Sequence, residues 1–168
     1  MDLKEVLDKR VSTRSYSKEE VSKEDIDLLL EAAYKAPIAN GLYDECMLTV
    51  ITNKELINQI AKEYQEKADK SKDPFFDGSL LIIFSSKKES SAKYEDAGCV
   101  IENIILQATS LNLGSCYIRG AFNFLGKEAD YIKNLNLDYG FYPVSGVVIG
   151  KTEKIQGKNH SIKTNFIN

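Results

Sequence analysis

Leu80-Leu81-Ile82-Ile83-Phe84 is a run of five apolar residues without a polar member, and no other stretch constrains the fold as strongly. A strand with one wet face alternates polar and apolar side chains, whereas a strand apolar at every position is covered on both faces. Such a strand needs a layer above it and a layer below it. One cover is legible close by: Ala97, Val100, Ile101, Ile104, Ile105, Ala108 and Leu111 sustain a broad apolar stripe at helical spacing. The stripe stops at Asn112-Leu113-Gly114, a combination that ends helices. The spacing therefore predicts a central strand beneath a long core helix.

The other elements follow from period and caps. Leu3, Val6 and Leu7 predict a first helix over 2–10 with one buried stripe. Ser22, three residues before Asp25, predicts an N-cap for a helix carrying Ile26, Leu29, Leu30 and Ala33 and ending near Pro37. Met47 to Thr52 reads as a strand, and Asn53 caps a helix with Leu56, Ile57, Ile60, Ala61 and Tyr64 on one face. Lys67 to Asp77 is charged and expected to be exposed. Ser115 to Ile118 and Tyr142 to Ile149 read as strands, with a helix over Leu125 to Leu135 between them. Strands and helices are interleaved, yet the first strand is not followed by a glycine-rich phosphate turn, so a doubly wound dinucleotide fold lacks its signature. A three-layer α+β arrangement fits better, as one domain over 1–168 with a polar arm from Lys151 to Asn168.

Length and charge narrow the function. The chain has 168 residues, 22 basic against 25 acidic and a net charge of −3, which gives no electrostatic reason to expect a nucleic acid or an anionic membrane as partner. The apolar runs are too short to span a bilayer, and the acidic start Met1-Asp2-Leu3-Lys4-Glu5 is not a signal peptide, so a cytoplasmic location is expected. Cys46, Cys99 and Cys116 are odd in number and widely spaced; they read as reduced core residues. With His160 the single histidine, no metal site is expected. A Cys-His nucleophile pair would have to assemble in space around a histidine in the polar tail.

Arg10, Ser12 and Arg14 are two residues apart, so in extended chain they point to one side. Two guanidiniums and a hydroxyl suit a phosphomonoester; two solvated arginines near a helix end is the plain alternative. Asn112 to Gly120 turns from a buried helix into a short strand and a glycine that permits close backbone approach to a flat ligand, or it is an ordinary helix end. Ala36-Pro37-Ile38-Ala39-Asn40-Gly41, by itself, is a turn of small residues.

Taken together and in this order, the segments resemble the nitroreductase family of FMN-dependent oxidoreductases. Arg10-Val11-Ser12-Thr13-Arg14-Ser15-Tyr16 is similar to the family's opening phosphate-binding motif, and Ala36-Pro37 with the small residues after it to a second flavin loop. Asp96 to Asn103, continuing through Leu113 to Ile118, resembles the central helix and following strand, and Val147-Val148-Ile149-Gly150 the last strand. The chain departs from many members at Gly41-Leu42-Tyr43-Asp44-Glu45 and at Arg119, where some relatives carry an acidic residue.

The resemblance implies a central mixed β-sheet covered by helices, in a domain-swapped type of homodimer whose C-terminal arm lies on the partner. It implies non-covalent FMN, with NAD(P)H as co-substrate and a small acceptor such as a nitroaromatic or quinone reduced by a ping-pong mechanism. Arg10, Val11, Ser12 and Arg14 would hold phosphate and ribityl chain. Pro37, Ile38 and Ala39 would edge the ring from the other subunit. Arg119 and Gly120 would approach N5 through their backbone, Tyr117 would also bind the cofactor, and Lys158 and His160 would stand where the family often carries a basic pair. No side chain acts as acid, base or nucleophile in that reading. A non-catalytic FMN-binding or sensing protein of the same fold is the alternative, and an interaction domain without flavin a third.

Overall fold

The structure, a computed structural model, describes residues 1–153 and 156–167. Four strands, β1 (Cys46–Ile51), β2 (Leu80–Ser86), β3 (Leu113–Ile118) and β4 (Tyr142–Lys151), form one sheet in the order β1-β2-β4-β3. All seven residues of β2 are buried, and they alternate between two cores. Leu80, Ile82 and Phe84 pack with the helices α2 (Lys23–Ala33) and α4 (Ala92–Ser110). Leu81 and Ile83 pack with α3 (Lys54–Ala68) and α5 (Gly120–Leu125) on the opposite face. The apolar run is thus covered twice, giving the three-layer α+β fold. Every strand pair is antiparallel. The expected mixed sheet is corrected to that extent: parallel pairing is confined to one bridge, Ser12 to Ser115, because each of the four strands runs opposite to its neighbours.

Caps were the readable boundaries. Ser22 Oγ accepts from the Asp25 N–H at 3.1 Å, and Asn53 Oδ1 accepts from Glu55 and Leu56 at 2.9 and 3.1 Å, so orphan donors at both N-termini are satisfied. The first helix, α1 (Leu3–Lys9), opens with a reciprocal Asp2–Glu5 capping box. Its stripe is buried only at Val6, while Leu3 and Leu7 are 67% and 53% exposed. A seven-residue helix resting on α4 turns a single side chain inward.

Three further expectations change. The helix expected over Leu125 to Leu135 is instead α5 followed by two 3₁₀ turns, Gly126–Glu128 and Asp130–Asn134. Gly126, at φ 53°, breaks the helix, and the Glu63 carboxylate of α3 takes the Asp130 and Tyr131 N–H groups at 2.7 and 3.0 Å. The charged stretch before β2 is anchored by the fully buried Phe75. Of the three free cysteines Cys116 is buried, Cys46 half-buried and Cys99 exposed; Cys99 falls outside the phase of the α4 stripe. No helix among the described residues is long and apolar enough to cross a membrane.

The arm leaves β4 and crosses α1, where a Cβ on Gly157 would overlap the Asp8 carbonyl oxygen. Beyond it Ile162, Phe166 and Ile167 are 90%, 83% and 91% exposed. Residues 154, 155 and 168 of the expected arm lie outside the described residues.

Candidate functional site

β3 is an outer strand, and the chain from Val11 to Ser17 is laid against it. The Thr13 N–H donates to the Ser115 carbonyl at 2.8 Å, and Ser17 donates to Lys151 at 2.8 Å. Two glycines make room. Gly114 and Gly150 face each other across β3 and β4; a Cβ on Gly114 would come within 2.7 Å of Thr13 Cγ2, and one on Gly150 within 2.9 Å of the Tyr16 ring. The Tyr16 hydroxyl donates to the Thr13 carbonyl at 2.8 Å, and burial pushes its pKa well above the ordinary phenol value. Thr13 and Tyr16 are therefore the anchors of the segment.

The alternate residues are left outward. Ser12 is half-buried and Arg14 exposed, while Arg10 is the half-buried C-cap of α1. Among the described residues none of the three arginines has a carboxylate within 4.0 Å, although ten such pairs involve lysines. The Val11 to Ser17 segment floors an open hollow of about 670 Å³ whose far wall is Thr152, Glu153 and Gln156.

A second hollow, of about 480 Å³, opens at the end of β3. Tyr117, Arg119 and Gly120 line one side, and Lys70, Lys72 and Phe76 the other. The Arg14 guanidinium lies 5.8 Å from the centre of the Phe76 ring and so joins the two hollows. Phe76 and Asp77 both adopt left-handed φ, 53° and 63°, a conformation that costs free energy in non-glycine residues. The Asp73 carboxylate holds them there by accepting from Phe75 and Asp77 at 2.9 and 2.7 Å. Gly120 is open: the nearest atom to a Cβ there is Tyr64 Oη at 3.5 Å.

Pro37, Ile38 and Ala39 stand apart from both hollows. Pro37 is exposed, Ile38 buried and Ala39 half-buried, and Ile38 borders a small apolar crevice with Tyr43 and Cys46. Two buried charges grip this loop. Asp96 Oδ1 accepts from the Ala39 N–H at 2.7 Å, and Lys88 Nζ donates to the Ala39 carbonyl at 3.2 Å and to Asp96 Oδ2 at 2.7 Å. Burial works against the Lys88 ammonium, but the hydrogen bond and charge of Asp96 outweigh it and its pKa stands above the ordinary lysine value. Lys158 and His160 are exposed on the arm and line neither hollow.

The structure thus brings Val11, Ser12 and Arg14 of the motif and the Tyr117–Gly120 turn together through Phe76. Arg10 stands beside the first hollow at the end of α1 without lining it, and Pro37–Ala39, Lys158 and His160 lie elsewhere on the chain. Sequence reading missed the 70–76 loop and the Lys88–Asp96 pair. Asp96 carried a usable signal: it stands four residues before Val100 and eight before Ile104, in phase with the apolar stripe, and a carboxylate on a buried stripe requires a partner. The 70–76 loop carried none, because its charged composition reads as solvent-facing.

Comparison with known proteins gives the same fold. A nitroreductase with bound FMN from Desulfitobacterium hafniense DCB-2 superposes with TM-score 0.87 at 20% identity over 100% of both chains. One from Bacteroides fragilis NCTC 9343, also with bound FMN, gives 0.82 at 24% identity over 100% of this chain and 98% of the other. An FMN-dependent nitroreductase from Clostridium difficile R20291 gives 0.79 at 29% identity over 97% and 98%. No curated protein matches. The model of the nitroreductase family matches residues 7–151, and with most of its length inside that match the chain belongs to the nitroreductase family.

Proposed function

We propose that the chain is an FMN-dependent NAD(P)H oxidoreductase whose flavin spans the two joined hollows. The observation that carries this reading is a pair of cations, Arg10 and Arg14, with no acidic partner among the described residues, on a segment fixed to β3 and linked through Phe76 to an open glycine. The residues present fit the group. Guanidiniums with no carboxylate within 4.0 Å among the described residues and the Ser12 hydroxyl suit the phosphate, and the two hollows lie within the size range of cofactor sites. Tyr117, Arg119 and Gly120 offer a backbone edge that a planar ring can approach. The solved relatives that carry FMN support the same assignment.

The chemistry that FMN supplies when bound is two-electron transfer from NAD(P)H to a small acceptor such as a nitroaromatic or quinone, in ping-pong order. The chain's own part is position and charge. Arg10, Val11, Ser12 and Arg14 would hold the phosphate end, with Thr13 and Tyr16 fixing the segment to the sheet. Lys70 and Lys72 bring positive charge to the lining of the second hollow, where negative charge on a reduced ring would be stabilised; the Arg119 guanidinium lies instead over the Tyr94 ring, 5.7 Å from its centre. The Phe76 and Tyr117 rings narrow that hollow and keep bulk water from its floor.

A second copy of the chain completes the reading. The exposed Ile162, Phe166 and Ile167 of the arm and Leu3 and Leu7 of α1 offer apolar surface to a partner, and Pro37–Ala39 together with Lys158 and His160 would reach the flavin across that interface. Sedimentation of the holoprotein as a monomer would refute the dimer. The deciding experiment is the visible spectrum of protein reloaded with FMN, followed anaerobically as NADH and then NADPH is added. Bound flavin bleached by either nucleotide is the expected result. Flavin that stays oxidised would favour a binding or sensing role, and no uptake of FMN would overturn the assignment.

A further inference from the structure

The Lys88–Asp96 pair is the one ion pair among the described residues with both side chains withdrawn from water, 5% and 3% exposed. Its location is informative. Lys88 follows the end of β2 by two residues and Asp96 sits in the first turns of α4, so both are held close to elements of the core. Their shared target is a loop residue: Asp96 takes the N–H of Ala39 and Lys88 reaches its carbonyl. One residue's donor and acceptor are thus both gripped from below. Directly after it Asn40 and Gly41 turn back through left-handed φ of 58° and 67°; directly before it Ile38 is buried, and one residue earlier Pro37 is exposed to solvent.

A buried ion pair is a poor source of stability, since desolvating both groups offsets most of their attraction and an apolar pair of similar volume often serves as well. What charge supplies here that apolar packing would not is direction: two charge-assisted hydrogen bonds fix the orientation of the backbone on either side of Ala39. We propose that Lys88 and Asp96 are positioning residues that set the Pro37–Ala39 loop at the height and angle needed to edge the flavin of the other subunit. This rests on the FMN-binding dimer put forward above. Neither residue touches the cofactor; they act through the loop, and the partner's flavin reads the result.

The test separates position from stability by comparing Asp96→Asn, Lys88→Met and the double variant Lys88→Met/Asp96→Asn. Either single variant leaves one buried group without its partner. The double variant removes both charges, keeps an amide oxygen for the Ala39 N–H and loses the donor to its carbonyl. Three quantities are read: the thermal midpoint of the apoprotein, the FMN dissociation constant by fluorescence titration, and the visible circular dichroism of the bound flavin, which reports its asymmetric surroundings. The expected result is a fall in thermal midpoint for the singles that the double variant largely recovers, with FMN affinity weakened about tenfold in the double variant, a loss of about 1.4 kcal/mol, and an altered dichroism. Recovery of affinity and dichroism together with stability would make the pair a purely structural element and overturn the proposal. Unchanged flavin binding in all three variants would do the same while leaving the oxidoreductase reading intact. Wild-type protein that takes up no FMN would remove both.

Discussion

The chain uses positive charge in two opposite ways, at Lys88 and at Arg10 with Arg14. Lys88 is buried against the Asp96 carboxylate, and its ammonium also donates to the Ala39 carbonyl, so its charge orders the loop backbone at that residue. Arg10 and Arg14 lie on a segment pinned at Thr13 and Tyr16, yet their guanidiniums have no acidic neighbour among the described residues. Where charge organises the fold it is paired and dry. Where it is fixed in place but left without a partner, the arrangement is suited to an anion that arrives from outside.

That contrast makes an asymmetric prediction, and its largest effect is at the buried pair. Lys88→Met alone leaves the Asp96 carboxylate buried without its counter-charge, and removing one member of such a pair destabilises by about 3 to 5 kcal/mol. Urea unfolding of the apoprotein measures it. A loss below about 1 kcal/mol would mean that water reaches Asp96 readily and that the pair belongs with the exposed ones.

The arginines should behave in reverse. Arg10→Ala/Arg14→Ala removes surface charge, and unfolding free energy is expected to change by no more than about 0.5 kcal/mol. Flavin retention should collapse. Hydrogen bonds to charged groups contribute roughly 1.5 to 3 kcal/mol each, so losing two weakens FMN binding by about two orders of magnitude or more. Fluorescence titration reads the affinity and denaturant melts the stability. Equal losses in both would erase the distinction between the two clusters.

The segment that presents the arginines was legible in the sequence as a motif, but the reason for its placement was not. The alternation of Arg10, Ser12 and Arg14 showed which side chains face out; nothing in it showed that Thr13 and Tyr16 would fill the gaps left by Gly114 and Gly150, about a hundred residues further on. Likewise the run at Leu80–Phe84 told of two covering layers because burial on both faces is a local property of the residues themselves. The 125–135 region misled for the opposite reason. Its periodicity permits a helix, and what prevents one is the turn at Gly126 together with the remote Glu63 carboxylate, which holds two backbone donors further along. Local periodicity records local preference; partners far along the chain leave no periodic trace.

Gly114→Ala sharpens the comparison at intermediate size. The added methyl would meet Thr13 and Thr152 methyl carbons at 2.7 and 2.9 Å, and overpacking of this kind costs about 1 to 3 kcal/mol. Because the nearest clash is with an anchor of the arginine segment, the variant should weaken FMN binding as well as stability. Stability lost with unchanged flavin affinity would show that the arginines do not depend on the β3 anchor.

The smallest effect tests the scale from its other end. Lys67 on α3 meets Asp130 at 3.0 Å, with both side chains in water. The hydrogen bond from Lys67, and then its charge, hold the Asp130 carboxyl below the usual carboxylate range. A group depressed in this way contributes stability that is present above its unfolded value, about 3.9, and that is lost as pH falls through the lower folded value. At neutral pH the contribution is complete, so thermal midpoints of wild type and Asp130→Asn should differ only slightly at pH 7 and converge as the pH drops below about 4. The turn itself should survive the substitution, because Glu63 and not Asp130 secures its backbone. A large difference that persists at low pH would show that the Asp130 side chain supports the turn by packing or geometry, and that exposure is a poor guide to which charges in this chain organise structure.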